Sequence, residues 1–247
     1  MSRTVFDSAA QVYGRLRPPY PPGLYDGIEE LSGRPLAGAA IVEVGAGTGI
    51  ATAELVARGA RVLAVDLSLA MLQHQRVPSA AVVGSGAALP VRSARADLIC
   101  YAMSWHWVPS DPGIAEAVRV LRPGGAMVMW WNEYEQDAPP DVDPRRWYDD
   151  VGRPRPATAG RISHEHVDVE LRASRLFTDL RRLDVVWERW VSIDERLEQM
   201  TTHSWVIELA AQQPDFLAYY RRQLEAAWPD GVVEERYSCE LHVALVA

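Results

Sequence analysis

The sequence contains no lysine: all 25 of its basic side chains are arginine, against 33 acidic ones. This absence excludes enzymes that form a Schiff base through a lysine amine. It also excludes nucleotide-binding proteins that need the lysine of a phosphate-binding loop. The net charge of −8 and the isoelectric point near 5.3 disfavour DNA or RNA as a partner, because the nucleic-acid backbone attracts clustered positive charge.

Cysteines and long apolar segments are equally scarce. Cys100 and Cys239 are the only cysteines, too few for a disulfide framework. The pair His164 and His166 lacks a nearby third ligand, so we expect no metal. Apolar runs reach only about six residues, whereas a membrane helix needs roughly 20, and the N-terminus lacks the apolar stretch of a signal peptide. We therefore expect a cytoplasmic monomer or homodimer with no membrane partner.

Short, continuously apolar segments alternate with helical patterns in residues 39–132, which is typical of a parallel sheet covered on both faces. Ser68 is a plausible N-cap of the second helix. The predicted strands are Ile41–Val44, Arg61–Asp66, Ala80–Val83, Asp97–Met103 and Ala126–Trp131, and the predicted helices are Ile50–Arg58, Ser68–Gln75 and Pro112–Leu121.

The pattern changes after Asn132. Residues 133–160 are rich in proline and acidic side chains and show little periodicity, so they are interpreted as an insertion at the surface or the active site. The sequence then predicts a strand over Leu180–Ser192, helices over Asp194–Ala211 and Pro214–Trp228, and a closing strand over Glu240–Val246. We expect one domain, 1–247, with an N-terminal lid (1–38), a cofactor-binding core (39–132), an insertion and cap (133–239) and a closing strand (240–247).

The strongest chemical signal is the glycine loop Glu43-Val-Gly-Ala-Gly-Thr-Gly49 between the first strand and the first helix. Glycines there allow a sharp turn and a close approach of a ligand. Asp66 ends the next strand, where an acid can accept hydrogen bonds from both ribose hydroxyls. A dinucleotide loop reads G-x-G-x-x-G, but this chain has Ile50 at the last position. The loop therefore disfavours an NAD-dependent oxidoreductase and favours S-adenosylmethionine, an adenosine with a cationic amino-acid tail.

Taken in order, these motifs resemble the class I S-adenosylmethionine-dependent methyltransferases, closest to the small-molecule branch of trans-aconitate methyltransferase-like and UbiE-like enzymes. The resemblance covers most of residues 5–132. It implies an α/β fold: a Rossmann-like, seven-stranded mixed sheet of order 3-2-1-4-5-7-6, helices on both faces and a helical cap insertion. The matching motifs are the glycine loop, Asp66, Leu89-Pro90, the strand at Asp97, Leu121-Arg-Pro-Gly-Gly125 and the segment Tyr13-Gly-Arg-Leu-Arg17-Pro-Pro-Tyr20-Pro.

The resemblance also implies the cofactor contacts. Tyr13 and Arg17 would reach the methionine carboxylate, Asp66 the ribose, and Leu67 and Met71 the adenine. Where the family commonly has G-D-A-x-x-L-P, this chain has Ser85 in place of the aspartate, so backbone groups of the next residues could hold the adenine instead. The full predicted set is Tyr13, Arg17, Glu43, Gly45, Gly47, Gly49, Asp66, Leu67, Met71, Ser85, Gly86, Ala87 and Tyr101.

Ligands of this fold bind at the carboxyl ends of the strands, so His106, just after the fourth strand, is expected near the methyl group. A base is needed only if the acceptor must lose a proton, and His106 could instead pack the floor of the site. Further catalytic candidates are His203 and Tyr134. Most of the nine tryptophans are expected in the core; the candidate acceptor contacts are Tyr20, Trp105 and Trp107.

The missing lysine narrows these roles. Any base must be a histidine, tyrosine, aspartate or glutamate, and a ligand carboxylate must be met by arginine or backbone, which favours Arg17. The sequence thus predicts methyl transfer from S-adenosylmethionine to oxygen, nitrogen or carbon of a small molecule, with natural-product metabolism as one setting. The alternative is a protein of this fold that binds the cofactor in a non-methylating or regulatory role.

Overall fold

The computed structural model describes residues 16–134, 142–152, 166–213 and 215–247, with only the backbone at 204, 205, 208 and 212. Its strands are β1 (Ala40–Val44), β2 (Arg61–Asp66), β3 (Ala80–Val83), β4 (Ala96–Ala102), β5 (Leu121–Tyr134), β6 (Phe177–Ser192) and β7 (Val232–Val246). They form one seven-stranded sheet of order β3-β2-β1-β4-β5-β7-β6. β7 runs antiparallel to both β5 and β6, and the other neighbours are parallel. The predicted mixed sheet is confirmed.

The helices of the described residues lie on both faces of this sheet and beyond its carboxyl end. They are α1 (Pro22–Ser32), α2 (Ile50–Ala57), α3 (Leu69–Gln73), α4 (Ser110–Val120), α5 (Arg146–Asp150), α6 (Val167–Ser174), α7 (Ile193–Met200), α8 (Ser204–Gln212) and α9 (Phe216–Ala227). A 3-10 turn spans Trp105–Trp107. Ser68 caps α3 as predicted, because its hydroxyl accepts a hydrogen bond from Met71 N at 3.1 Å. Among these helices, none is both long and apolar enough to cross a membrane.

Two apolar cores sandwich the sheet. On one face Ile28 of α1 and Leu55 of α2 pack against Trp130 of β5. On the other, Ile114 of α4 and Leu171 of α6 join a cluster that includes the neighbouring β5 residue, Trp131. Successive strand residues point to opposite faces, so the continuously apolar segment of β5 supplies both cores.

The two thiols are free and buried, Cys100 on β4 and Cys239 on β7. Strand β5 lies between those two strands. Since neighbouring strands are about 4.8 Å apart, residues two strands away exceed the usual reach of a disulfide. Cys100 and Cys239 are therefore held apart as buried free thiols.

Strand β7 begins at Val232, eight residues before the predicted start at Glu240. Its first half alternates exposed and buried residues, and the buried positions include charged Glu235, so no continuous apolar signal marks it. Strand β5 ends at Tyr134 opposite Tyr237. Within the part of the chain that the structure describes, residues 232–236 therefore pair only with β6, and the β6–β7 ribbon extends past Tyr134.

The helix predicted over Asp194–Ala211 is two helices, α7 and α8. The hydroxyls of Thr201 and Thr202 donate to the carbonyls of Glu198 and Gln199, at 2.6 and 2.7 Å. These bonds satisfy carbonyls that the last turn of a helix leaves unpaired, and α8 then begins after His203.

Helices α5, α7, α8 and α9 share a third core on the β6–β7 ribbon, which we call the cap core. Its buried residues include Trp147, Val191, Leu197, Phe216 and Val233. Predicted segment 133–239 therefore contains this cap together with β6 and the first half of β7, which belong to the sheet.

Candidate functional site

A cavity of about 440 Å³ opens at the carboxyl ends of β1, β2 and β4. Pockets for small ligands and cofactors usually have volumes of roughly 300–1,000 Å³. The wall consists of the glycine loop after β1, the turn from Asp66 into α3, the turn after β3, and residues 102–104 with 107–109 after β4. This is the edge of a parallel sheet where nucleotide ligands bind.

Gly45 gives the loop its sharp turn. Its φ of +72° lies in the left-handed region, which favours glycine. A Cβ at this position would also lie 2.5 Å from Cβ of Ser104. The Ser104 hydroxyl is fixed there because it donates to the carbonyl of Val44 at 2.5 Å. Both backbone angle and packing thus require glycine, and the cavity wall stays flat at the loop.

Asp66 joins two walls of the cavity. Its Oδ2 accepts a hydrogen bond from Gly47 N and its Oδ1 one from Ser68 N, both at 2.8 Å. Backbone donors of this kind stabilise the ionised carboxylate. The side chain is therefore an oriented acceptor on the cavity wall, a geometry that suits the two hydroxyls of a ribose.

Glu43 lies on the same wall but is almost fully buried. Its Oε2 accepts a hydrogen bond from the hydroxyl of Thr52 at 2.6 Å. Burial raises the pKa of Glu43 to about 8, with Thr52 opposing and the charge of Asp66 adding to the shift. The carboxyl group is therefore largely protonated at neutral pH. A cationic ligand group nearby would favour its ionised form.

Thr48 is a cavity residue that the sequence reasoning missed. It is 1% exposed, lines the cavity, and its hydroxyl has no hydrogen-bond partner among the residues that the structure describes. Burying a hydroxyl without a partner costs about 1–3 kcal/mol in proteins, so this atom indicates a ligand that supplies one. A hydroxyl residue between two glycines of the loop was the available signal.

Large apolar surfaces line the other end of the cavity. Leu67 and Trp107 are 59% and 55% exposed, and Met71 lies behind the glycine loop. The predicted adenine contacts Ser85, Gly86 and Ala87 also line this cavity. The Ser85 hydroxyl accepts a hydrogen bond from Ala87 N at 3.2 Å, which rigidifies the turn. A flat, apolar slot with backbone polar groups suits a planar base.

Two predicted site residues lie in the core instead. Tyr101 and Trp105 are 0% and 2% exposed, and their rings meet edge-to-face with centroids 5.0 Å apart. Trp105 fits there because Gly113 has no Cβ: one would lie 3.0 Å from the indole ring. The predictions of a cofactor contact for Tyr101 and an acceptor contact for Trp105 are therefore corrected. Neither residue lines the cavity.

His106 turns away from the cavity towards β5. Trp131 Nε1 donates a hydrogen bond to His106 Nδ1 at 3.3 Å. An imidazole that accepts at Nδ1 carries its proton on Nε2 when neutral, so it acts as a donor there rather than as a base. The predicted position beside the reacting methyl group is corrected, since the ring is absent from the described cavity wall.

Arg17 and His203 meet at the cap rather than in the cavity. Arg17 Nη2 donates to the carbonyl of Thr202 at 3.2 Å. Burial and the charges of Arg17 and Arg196 lower the pKa of His203 well below its usual value, so this imidazole is neutral. Predicted Tyr13 lies outside the described residues, whereas Tyr20 lines the cavity and packs edge-to-face on Trp130 at 5.6 Å.

Tyr134, the third catalytic candidate, ends β5 and contacts the cap. The Arg196 guanidinium carbon lies 4.5 Å from the centre of its ring, and burial raises the pKa of Tyr134 to about 12 despite that charge. Its phenol therefore stays protonated at neutral pH. None of the three described catalytic candidates, His106, His203 and Tyr134, lines the cavity.

Within the described residues, no cluster of three or more histidine, cysteine or acidic side chains could hold a metal.

The predicted cofactor residues separate into those that line the cavity and those that do not. Gly49 stands behind the wall, where its φ of +77° starts α2. Those that line the cavity are Glu43, Gly45, Gly47, Asp66, Leu67, Met71, Ser85, Gly86 and Ala87.

Comparisons with known proteins agree with this geometry. A family model described as a methyltransferase domain matches residues 42–129. An uncharacterized methyltransferase of Mycobacterium tuberculosis is 30% identical over 227 residues, which cover 91% of this chain and 86% of that protein.

Two solved structures share the fold. A proposed type II methyltransferase from Anaeromyxobacter dehalogenans superimposes with a TM-score of 0.67 and 23% identity, covering 93% of this chain and 97% of that one. Phosphoethanolamine N-methyltransferase 2 of Haemonchus contortus, in complex with phosphomonomethylethanolamine and S-adenosylhomocysteine, gives 0.54 and 13%, covering 98% of this chain and 57% of that one. The glycine loop, the oriented Asp66 and the unpaired Thr48 hydroxyl fit S-adenosylmethionine as the cofactor. The chain belongs to the class I S-adenosylmethionine-dependent methyltransferases.

Proposed function

We propose that this enzyme methylates a small molecule held between the cavity and the cap. The observation that carries the proposal is that Tyr20, on the cavity wall, is three residues from Arg17, which hydrogen-bonds to Thr202 between α7 and α8. Residues 17–20 thus connect the cap to the cavity wall. The excess of acidic residues supports a small acceptor over a nucleic acid.

A second connection joins the cap to the cavity. Met103, on the cavity wall, has a φ of +52°, unusual for a residue with a side chain. Its sulfur accepts a hydrogen bond from Asn132 N at 2.9 Å. The side-chain oxygen of Asn132 accepts one from Trp187 Nε1 at 2.8 Å, and Trp187 stacks on Tyr237 under the cap. These contacts support the proposal that an acceptor held between the cavity and the cap has a fixed position relative to the cofactor site.

S-adenosylmethionine, when bound, supplies a methyl group activated on a sulfonium. For the chain's own residues we propose these roles: Asp66 orients the ribose, Thr48 and the glycine loop hold the amino-acid tail, and Leu67 and Trp107 enclose the adenine. Such positioning, together with the exclusion of water, supplies much of the rate of a methyl transfer.

Proton removal from the acceptor has little support on the described cavity wall. Its acidic side chains are Glu43, bonded to Thr52, and Asp66, bonded to Gly47 and Ser68. No histidine lines the described wall, and its one tyrosine, Tyr20, packs edge-to-face on Trp130. We therefore propose an acceptor that arrives already nucleophilic, such as a carboxylate, a thiolate or a neutral amine.

Labelled methyl transfer tests this function. The enzyme is incubated with S-adenosylmethionine labelled on its methyl group and with cell extract separated into small molecules, protein and nucleic acid. We expect label in the small-molecule fraction, little label with the Asp66→Asn variant, and full transfer with the control Asp26→Asn, whose exposed side chain pairs with Arg58 away from the cavity. Label in protein or nucleic acid would contradict the proposal. Cofactor binding without transfer to any fraction would favour the non-methylating alternative.

A further inference from the structure

His242 on β7 is a buried histidine that the proposed methyl transfer does not use. It is 2% exposed, and each ring nitrogen faces a carboxylate: Nδ1 lies 2.9 Å from Asp168 Oδ1, and Nε2 lies 2.6 Å from Glu240 Oε1. A neutral imidazole has one N–H and can donate only one of these hydrogen bonds, whereas the imidazolium donates both. The geometry therefore favours the charged form.

The charges around His242 are consistent with that form. Burial alone would lower the pKa of His242, but the hydrogen bonds and charges of Glu240 and Asp168 outweigh burial and raise it above its usual value. Arg182 of β6 holds the other oxygen of Glu240 at 3.3 Å and pairs with Asp184 at 3.4 Å. On the β5 side the neighbour is the uncharged ring of Trp131.

The first route from His242 to the cavity runs through α6. Asp168 and Glu170 both lie in the first turn of this helix, where negative charge is favourable. While Asp168 binds His242, Glu170 accepts a hydrogen bond from the hydroxyl of Ser110 at 2.8 Å. Ser110 directly follows Pro109, which lines the cavity. Helix α6 therefore links the imidazolium to the cavity wall.

The second route runs through Trp131. Its ring meets that of His242 edge-to-face, with centroids 5.7 Å apart, and its Nε1 donates to His106. The His106 ring lies 4.9 Å from that of Trp107, which lines the cavity. Both routes reach one short segment, residues 106–110, of which residues 107–109 line the cavity.

We propose that the His242 imidazolium is a positioning residue: through α6 and Trp131 it holds residues 106–110 in the shape that binds the cofactor. This inference rests on the proposed role of the cavity. Loss of the ring proton would set a lone pair against one of the two carboxylates, and the repulsion would displace α6 or Trp131. Cofactor affinity then depends on the charge of a residue that never touches the cofactor.

The test is calorimetric titration of S-adenosylhomocysteine between about pH 6 and 9.5, below the melting temperature of every variant. As the pH rises through the pKa of His242, we expect the ratio of the wild-type affinity to that of the His242→Gln variant to fall about tenfold. The variant should bind about tenfold more weakly at low pH and lack this fall. Glu43 and the ligand's amino group titrate in both proteins and cancel in the comparison.

Two further variants keep the test decisive. Asp168→Asn removes one carboxylate at a partly exposed position, and it replaces His242→Gln in the test if that variant does not fold. It should also flatten the pH dependence of the affinity. Trp131→Phe keeps an aromatic ring beside His242 but removes the N–H group that donates to His106. It should therefore lower the cofactor affinity and retain the pH dependence of that affinity. If His242→Gln and Asp168→Asn lower only the melting temperature and keep the wild-type profile, the inference is wrong. If the wild type itself does not bind, the proposed cofactor site fails instead.

Discussion

Two tryptophans separated by one residue have opposite environments at the end of β4. Trp105 is buried beside Gly113, whereas Trp107 is largely exposed on the cavity wall. We expect Trp105→Ala to lower the free energy of unfolding by about 3–5 kcal/mol, as for other buried aromatic truncations. Trp107→Ala should leave stability nearly unchanged and weaken cofactor binding. Chemical denaturation and calorimetric titration of both variants check this pair, and a large stability loss for Trp107→Ala would contradict the assignment.

Glu43 predicts a pH dependence of stability. The folded-state pKa of about 8 is above the ordinary value of 4.5, so the folded state binds more protons between these two pH values. The contribution of Glu43 to the free energy of unfolding is therefore complete below about pH 4.5. It is lost as the pH rises through about 8, at up to about 1.4 kcal/mol per pH unit.

The Glu43→Gln variant isolates this effect, because glutamine can still accept the hydrogen bond from Thr52 and carries no titrating proton. In the empty protein, we expect its melting temperature to exceed that of the wild type by an amount that grows between pH 5 and 8.5. A difference that stays constant with pH would show that Glu43 does not titrate in this range.

At the scale of elements, the cap is held to the sheet by a buried ionic cluster. Glu235 of β7 is fully buried and accepts hydrogen bonds from Arg189 at 2.5 Å and Arg196 at 2.9 Å. Gln199 of α7 accepts from Arg189 and donates to Tyr237. Such a cluster fixes one arrangement of ribbon and helix, because each buried charge needs its partner.

We expect Glu235→Gln to destabilise the protein by about 3–5 kcal/mol, because among the described residues it leaves the buried guanidinium of Arg196 without an opposite charge. The matched control is Asp194→Asn in α7, since Asp194 pairs with Arg221 at the surface and exposed pairs contribute little. Thermal unfolding of the two variants checks the contrast. Equal effects would mean that burial does not govern the strength of these pairs.

Elements with a continuous apolar signal could be predicted from the sequence, and elements with a mixed signal could not. Strand Arg61–Asp66 has the predicted bounds, because the strands inside a parallel sheet are covered on both faces. The apolar edge strand Ala80–Val83 also has the predicted bounds, although most of its residues are exposed. The first half of β7 mixes charged and apolar residues, and its buried Glu235 accepts hydrogen bonds from Arg189 of β6, Arg196 of α7 and the hydroxyl of Tyr237. A pairing of this kind between distant elements gives no signal in the local sequence.

For the whole molecule, the sequence predicted the sheet order and the cofactor wall better than the acceptor side. Gly45 and Gly47, which have φ above zero, and Asp66 at the end of β2 are local signals, and all three line the cavity. The catalytic candidate His106 and the cofactor candidates Tyr101 and Arg17 depended on side-chain direction. His106 contacts Trp131, Tyr101 packs in the core, and Arg17 donates to the carbonyl of Thr202. None of these three side chains could be placed from chain position alone.

The most direct test of the account is calorimetric titration of S-adenosylhomocysteine into the wild type and the Thr48→Val variant, with NAD as a comparison ligand. We expect one site per chain in the wild type and no binding of NAD. Thr48→Val should bind about three- to tenfold more weakly, the value of one hydrogen bond, while the stability of the empty protein is unchanged or higher, because the buried hydroxyl lacks a partner among the described residues. Equal affinity in the two proteins would contradict the assignment of Thr48, and binding of NAD in place of S-adenosylhomocysteine would contradict the assignment of the cavity itself.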